Sequence, residues 1–371
     1  MKAIVIGGSF GGLHAGIALM DQGYEVEIFE RSEHNLQGRG AGLVIQQDMM
    51  DYLMDHQIAP KAVFGVPAGR RQILDDQGHA VLTWPNDTIF TSWNYIWQKL
   101  KAHFPAEKYH FGYTLESLEQ TGDTVAVKFK NGTERTANLI VGADGYNSVV
   151  REYIEPNIRP RYAGYVAYRG LIPESELSPT VASFFADKFS LYPYQRSHIL
   201  SYMVPGPNGE LTEGKRQLNW VWYLNKTTDE LARLMIDKNG QQHEFSLSAG
   251  SMSPLNITEL RENAASALPP IMADRVNQTK QPFVQVIFDL AVSRMYNNRI
   301  AILGDAAFVV RPHTASGTAK AFRDSISLAQ LLGKFNEPAA ALHHWNEQQI
   351  REAHSLIRYG KQLAARNELG I

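Results

Sequence analysis

Cysteine is absent from the 371 residues. That absence removes disulfides, thiolate nucleophiles, iron–sulfur clusters and cysteinyl zinc sites together. No sign of charge dominates: 36 Lys plus Arg stand against 38 Asp plus Glu, a balance that argues against a nucleic-acid or anionic-membrane partner. No apolar run approaches the roughly 20 residues that span a bilayer. There is no His-Glu-x-x-His stretch and no acidic cluster at metal-ligand spacing, so no metal is expected. A Gly-x-Ser-x-Gly elbow is also missing. His343 and His344 are adjacent on a helical stretch, where successive side chains diverge by ~100°, and read as a solvated pair rather than a chelate. What is present is a 44% hydrophobic chain, enough for one or two cores, and a length that favours two domains.

The segment Lys2-Ala3-Ile4-Val5-Ile6 is a continuous apolar run, as in a parallel strand covered on both faces. With a strand this early, no charged region and cleavage site fit ahead of it, and the expectation is a cytoplasmic protein. The run ends in Gly7-Gly8-Ser9-Phe10-Gly11-Gly12, a helix is expected from Leu13 to Gln22, and Glu25 to Glu30 is the next strand. This is one βαβ unit. Further on, Arg70–Leu74 and His79–Trp84 read as a hairpin around Asp75-Asp76-Gln77-Gly78, followed by a helix from Thr91 to Leu100. Val125–Phe129 and Leu139–Val141 return to sheet. From Tyr165 to Leu224 aromatic and β-branched residues alternate with polar ones, the pattern of an antiparallel sheet with one covered face. Helices are expected around Leu231–Ile236 and Ile257–Ala267, strands at Phe283–Leu290 and Arg299–Leu303, and helices again at Gly317–Leu332 and from Pro338 towards Ala365.

The glycine turn carries the first chemistry. A strand that ends in such a turn and enters a helix aims free backbone N–H groups and the positive helix end at a pyrophosphate. Gly7 permits the tight turn, Gly12 lets helix and strand approach, and Ser9 stands where the fingerprint has a middle glycine. Glu30, at the end of the second strand, is placed to accept from ribose hydroxyls. Glycine geometry alone leaves NAD and FAD open.

The second and third motifs separate them. Arg299-Ile300-Ala301-Ile302-Leu303-Gly304-Asp305 is an apolar strand ending in Gly-Asp, and Gly142-Ala143-Asp144-Gly145 lies between it and the first turn. In this order the three motifs resemble the class A FAD-dependent aromatic hydroxylases related to para-hydroxybenzoate hydroxylase. Phe308 with Arg311-Pro312-His313, Tyr165 to Gly170 and Gly40 to Gln46 resemble the 2,6-dihydroxypyridine 3-hydroxylase branch in particular. The resemblance implies non-covalent FAD, with NAD(P)H and O2 as co-substrates and a flavin hydroperoxide that hydroxylates a small aromatic or heteroaromatic ring. It implies that Asp305 bonds a ribityl hydroxyl and that Asp144 serves FAD and the nicotinamide donor. The full set of implied cofactor contacts is Gly7, Ser9, Phe10, Gly11, Gly12, Glu30, Arg31, Arg39, Gln46, Asp144, Gly304, Asp305, Pro312, Ser316, Gly317, Thr318 and Ala319. Where many members keep a flavin-contacting Arg this chain has Trp93, and Arg39 is the candidate replacement. The helix opened by Ser316 to Ala319 would turn its N–H groups to the flavin's pyrimidine edge, favouring negative charge there by up to about 2 kcal/mol.

His313 is the expected catalytic residue: beside Pro312 over the flavin, an imidazole with an ordinary pKa of about 6.5 suits polarising or deprotonating a ring hydroxyl. A loop histidine bonded to backbone is the other reading. Pro312, His313, Tyr168 and Arg169 are the expected substrate contacts, whereas Trp220, Trp222 and Tyr223 read as sheet cover. Arg311 stays open between binding an anionic donor and neutralising the pyrophosphate. The expected architecture is α/β: a split Rossmann-like FAD domain (1–69, 91–160, 291–335), an inserted mainly antiparallel substrate domain (70–90, 161–290) and a C-terminal helix (336–371), as a monomer or homodimer. A reductase or oxidase of the same fold, or a non-catalytic flavin redox sensor, is the alternative. Trp220-Val221-Trp222 matches half of a flavin-halogenase signature, and the Ile-Pro that completes it is missing.

Overall fold

The computed structural model describes residues 1–36, 40–60 and 64–370. The chain opens with β1 (Lys2–Ile6), α1 (Phe10–Asp21) and β2 (Glu25–Glu30). Next come β3 (Gly42–Ile45), α2 (Gln47–Asp55) and the long hairpin β4 (Val66–Leu74) and β5 (Ala80–Ser92). Then α3 (Trp93–His103) leads to β6 (Tyr109–Phe111), the meander β7 (Leu115–Thr121), β8 (Thr124–Phe129), β9 (Glu134–Ala137), and β10 (Leu139–Gly142) with α4 (Val149–Ile154). The middle of the chain holds β11 (Arg161–Pro173), α5 (Pro179–Phe185), β12 (Lys188–Tyr194), β13 (Ser197–Val204) and β14 (Gln217–Asn225). After α6 (Thr228–Leu234), β15 (Ser246–Leu247), α7 (Pro254–Ala267) and α8 (Pro270–Gln278) comes β16 (Phe283–Ala291). The chain closes with β17 (Tyr296–Asn297), β18 (Ile300–Ile302), β19 (Phe308–Val309), α9 (Gly317–Lys334) and α10 (Pro338–Arg366).

Two large sheets organise these elements. The first runs β17-β18-β10-β1-β2-β6, parallel except for β17, so both ends of the chain contribute to it. Ala3, Ile4 and Val5 at its centre are fully buried, with α1 packed on the sheet, α9 packed on α1, and α4 and the meander also against its strands. That is why the run 2–6 is apolar throughout rather than alternating. The second sheet runs β15-β16-β11-β14-β13-β12-β4-β5-β3, antiparallel but for β12 beside β4. Period-two alternation gives it two different faces. Val166, Tyr168, Trp220 and Trp222 form a core that includes residues of α6, α7 and α8, while Ala167, Arg169, Val221 and Tyr223 lie on the opposite face. Among the described residues no helix is long and apolar enough to cross a membrane.

Several boundaries differ from the sequence expectation. α1 starts at Phe10 rather than Leu13, because Leu13 N–H donates to Ser9 O at 2.9 Å and carries the helix through two glycines. β5 continues past Pro85 to Ser92; Pro85 faces Arg70 beside an irregularity in the ladder, where its missing N–H is tolerated. The expected helix at Thr91 starts at Trp93, capped by Ser92 Oγ accepting from Tyr95 N–H. The expected domain cuts at 69/70 and 90/91 therefore fall inside β4 and β5, and β3 joins the second sheet rather than the first.

Candidate active site

The three motifs meet at the carboxyl ends of the parallel strands, where open α/β sheets bind ligands. Ala143 N–H donates to Ile6 O at 2.7 Å, and Leu303 N–H donates to Gly142 O at 3.0 Å. Gly7 has φ +103°, and a Cβ there would lie 2.3 Å from Ala143 O; one at Gly12 would lie 1.8 Å from Gly7 O. Neither can be anything but glycine without the turn opening. A Cβ on Gly11 would meet Leu303 Cδ1 at 3.0 Å, so the Gly304–Asp305 corner lies against the N-terminus of α1.

Around this junction the expected contacts divide into free and committed groups. Ser9 is the N-cap residue of α1, but its hydroxyl caps nothing. The Glu30 carboxylate is committed: it accepts from Gly8 N–H at 2.8 Å and Ser32 N–H at 2.9 Å, tying the glycine turn to the end of β2. Arg31 is exposed beyond it, close enough to Tyr146 to act on that hydroxyl's acidity. The Phe10 ring is buried against Trp93 (centroids 5.1 Å), and Trp93 in turn stacks on Trp97, so only the Phe10 backbone faces the turn. Trp93 thus belongs to an aromatic stack at the position where the resemblance implies a flavin-contacting Arg. Arg39, the suggested replacement, lies outside the described residues.

Asp144 has its carboxylate turned inward. It accepts from Ser148 Oγ at 2.6 Å and from the Val149 and Val150 N–H groups, which holds the start of α4, while burial pushes its pKa up. The residue of that motif that reaches across is Arg151, which donates to Ala306 O at 3.1 Å and Tyr146 O at 2.8 Å. Asp305 is different. Its carboxylate makes no hydrogen bond among the described residues and faces the cleft, and the surrounding protein pushes its pKa up to about 6. The corner beneath it is fixed by Asp324, which accepts from Gly304 N–H at 3.1 Å and pairs with Lys320 at 2.6 Å, both side chains buried. Phe308, buried under β16, lies 5.3 Å from the Lys320 ammonium.

The α9 mouth completes one side of a cleft of about 690 Å³. Ala315 adopts a left-handed φ of +51°, and Gln46 donates to its carbonyl at 2.9 Å. The first N–H groups of α9 have no intrahelical partner, and a Cβ on Gly317 would meet nothing within 4 Å. Ser316, Gly317 and Thr318 line the cleft, whereas the Ala319 side chain is core and offers only backbone. Gly360 of α10 lets the loop 311–314 lie close, since a Cβ there would be 3.2 Å from Arg311 Cβ and Thr314 Cγ2. Arg311 is neither free for a donor nor aimed at a pyrophosphate: it grips Asp289 with two hydrogen bonds of 2.9 and 2.8 Å.

That grip presents Pro312 and His313 to the cleft. His313 Nε2 shares a hydrogen bond of 2.9 Å with the Tyr165 hydroxyl, and its ring lies 4.5 Å from Tyr223 and 5.2 Å from His198. Burial first, then the neighbouring His198 and Arg311, hold His313 down to about 3; burial holds His198 down to about 4. Both imidazoles are neutral at physiological pH, which departs from the near-neutral base expected of His313. Arg169 lines the cleft, but Tyr168 is 4% exposed in the core on the opposite face and cannot touch a ligand there. Tyr223, expected as cover, is a cleft wall. His198 and Tyr202 line the cleft without any sequence motif marking them, and Tyr165, two and four residues before Ala167 and Arg169 on the same face of β11, is buried behind His313.

A Ser9 hydroxyl and an Asp305 carboxylate that have no hydrogen-bond partner among the described residues, and an open helix N-terminus at Gly317, fit the phosphates, ribityl chain and ring of FAD in that order. Together with the aromatic-walled cleft they define a flavin-dependent aromatic hydroxylase, and the chain belongs to that family of FAD-dependent monooxygenases. It is 35% identical to 2,6-dihydroxypyridine 3-monooxygenase of Paenarthrobacter nicotinovorans over 100% of this chain and 92% of that protein. The solved 2,6-dihydroxypyridine-3-hydroxylase from Arthrobacter nicotinovorans superposes with a TM-score of 0.93 at 34% identity, covering 99% and 92% of the two chains. 6-Hydroxynicotinate 3-monooxygenase of Pseudomonas fluorescens is 25% identical over 93% of this chain and 87% of its own. A family described as FAD binding domain-like matches residues 162–289, which lie almost wholly in the second sheet and its helices.

Proposed function

We propose that the protein hydroxylates a hydroxypyridine-like ring with NAD(P)H as electron donor, in the cytoplasm, where that donor is available. The observation that carries this reading is the Pro312–His313 loop. It stands between the Asp305 corner and the α9 mouth on one side and the His198, Tyr202 and Tyr223 wall on the other, with Tyr165 bonding His313 from the core behind it. FAD, when bound, supplies the activation of O2 for transfer of one oxygen atom to the ring. The chain's own groups do the rest. Ser9 and the α1 N-terminus hold phosphate, Asp305 holds a sugar-alcohol hydroxyl, and the α9 N-terminus favours negative charge on whatever lies before it. His313, neutral and anchored by Tyr165, orients a ring hydroxyl by hydrogen bonding. Leu200, Val221, Ile287 and the aromatic walls exclude water from the reacting edge.

Anaerobic mixing of the flavin-loaded enzyme with NADH or NADPH tests this. Flavin bleaching should quicken when a hydroxypyridine is present, and on admitting oxygen a product one oxygen atom heavier should appear by mass spectrometry. Bleaching indifferent to every ring tried, with oxygen consumed and no oxygenated product, would replace the hydroxylase reading with an oxidase.

A further inference from the structure

The sheet face of the cleft holds a cation with no counter-charge. Arg169 on β11 pairs in register with Val221 of β14, which pairs with Leu200 of β13; one pleat away, Ala167, Tyr223 and His198 form the parallel row. Arg169 Nε is buried and without a hydrogen-bond partner, and among the described residues no carboxylate pairs with its guanidinium. Among the described residues two other arginines line the cleft: Arg71, whose Nε is also without a hydrogen-bond partner, has its guanidinium seated over the Phe189 and Trp84 rings at 4.8 and 5.6 Å, and Arg366 is exposed at the rim, so Arg169 is the one with neither a ring beneath it nor open solvent around it. Among the described residues the one acid lining the cleft is Asp305, at the opposite end beside the Gly304 corner, where its charge acts on Tyr146.

A buried guanidinium N–H without a partner is unfavourable, and at Arg169, half-buried in the cleft wall, the fork is open to an acceptor that enters the cleft. The planar fork matches two oxygens of one carboxylate, or one anionic ring oxygen, in a way an ammonium does not. Position narrows the choice further. Two residues along a strand is about 7 Å, so Arg169 stands roughly one substituted six-membered ring away from Ala167, beside which Tyr223 touches His313.

We infer that Arg169 is the anion anchor of the ring pocket: it takes an anionic oxygen substituent of a heteroaromatic substrate and turns the opposite edge of the ring towards His313. This rests on the reading of the cleft as a ring-hydroxylation site. It adds that the substrate binds as an anion, through a carboxylate or an ionised ring hydroxyl.

The test is equilibrium binding to the flavin-loaded enzyme, read from the flavin's visible spectrum and by calorimetry, and so independent of turnover. The probes are 6-hydroxynicotinate (a carboxylate), its neutral amide 6-hydroxynicotinamide, and 2,6-dihydroxypyridine (an ionisable hydroxyl). The wild-type enzyme should bind at least one anionic probe tenfold or more tighter than the amide. Arg169→Gln should weaken that anion by at least about tenfold while leaving the amide unchanged, and Arg169→Lys should restore part of the loss. Flavin content and melting temperature of both variants serve as the folding check. Loss confined to 6-hydroxynicotinate identifies the carboxylate as the ligand group; loss confined to 2,6-dihydroxypyridine identifies the ionised hydroxyl. An enzyme that binds amide and anions alike, or an anion preference that survives Arg169→Gln, overturns the proposal. Failure of the hydroxylase reading would show instead in the anaerobic and product experiments, whatever the binding result.

Discussion

At the scale of single residues, the site separates groups that hold the protein together from groups that wait for a ligand. His313 does both, being bonded to Tyr165 while facing the cleft. With its pKa held down to about 3, it is too weak a base to carry a proton at neutral pH, and its contribution is orientation. His313→Ala should therefore keep FAD bound and lower ring-stimulated turnover by about 10- to 100-fold, the scale of a misplaced substrate. Its rate-versus-pH profile should lack any inflection that the wild type shows near 6.5 only if this assignment is mistaken; stopped-flow reduction across pH 5.5–8 checks it. The Asp305 carboxylate opens on the cleft and makes no hydrogen bond among the described residues. Asp305→Ala should release FAD, seen as loss of yellow colour on gel filtration. The apoprotein should melt at least as high as the wild-type apoprotein at pH 7, because a carboxylate whose pKa is raised to about 6 is mildly unfavourable in its charged form. Cleft water reaches it, so the gain should stay below about 1 kcal/mol.

At the scale of elements, α9 carries the most consequence. Its first turn opens on the cleft, its Ala321 packs against the Gly304 corner, and its Asp324 both accepts from Gly304 N–H and neutralises Lys320. Asp324→Ala leaves a lysine that is 1% exposed without a partner and should destabilise the fold by about 3–5 kcal/mol, measured by urea unfolding. Gly317→Ala separates structure from ligand binding. The new methyl group meets no protein atom within 4 Å, so apoprotein stability should be unchanged or slightly raised, while FAD affinity falls because the space belongs to the cofactor. Equal FAD affinity in the two forms would show that the α9 mouth does not approach the ring. The reach of the sequence is clearest at this scale as well. β1, β2, the Gly-Asp corner, α9 and α10 were legible because each is a local pattern: an apolar run, a glycine turn or a 3.6-residue stripe. What stayed hidden was non-local. Nothing in Gly42–Ile45 says that this strand pairs with β5 at the edge of the second sheet, and α8, opened by Pro270, lies beyond the two helices expected in that region. Tyr168 and Arg169 looked equivalent until the pleat put one in the core and the other in the cleft.

At the scale of the molecule, neutral histidines mark the seams. His14 lies inside α1, fully buried, stacked on Phe322 of α9 at 3.9 Å with neither ring nitrogen bonded, and burial holds its pKa well below 6.5. His198 and His313 sit where the second sheet meets the 311–314 loop, held down to about 4 and about 3. In the unfolded chain all three take up protons near pH 6.5; in the folded chain they resist. Folding stability thus falls as pH drops below that value, fully lost only below the folded-state values. Asp305 works the other way between about 3.8 and 6, where the folded protein holds a proton that the unfolded one lacks. For these four groups the balance is a net uptake of about two protons on unfolding, roughly 2.7 kcal/mol per pH unit at most; the buried Asp144, also raised, works with Asp305, while the ion-paired Glu174 and Asp289, held low, work with the histidines. The apoprotein should therefore melt progressively lower from pH 6.5 to 4, and His198→Gln should flatten that slope by about one proton's worth. His14→Phe, which removes two buried unpaired nitrogens from a ring-lined niche, should raise the melting temperature at neutral pH and more so in acid. A melting temperature that is flat or rises through this range would mean that the imidazoles are charged in the fold, and the hydrogen bond between Tyr165 and His313 would then need the ring as donor rather than as a neutral partner.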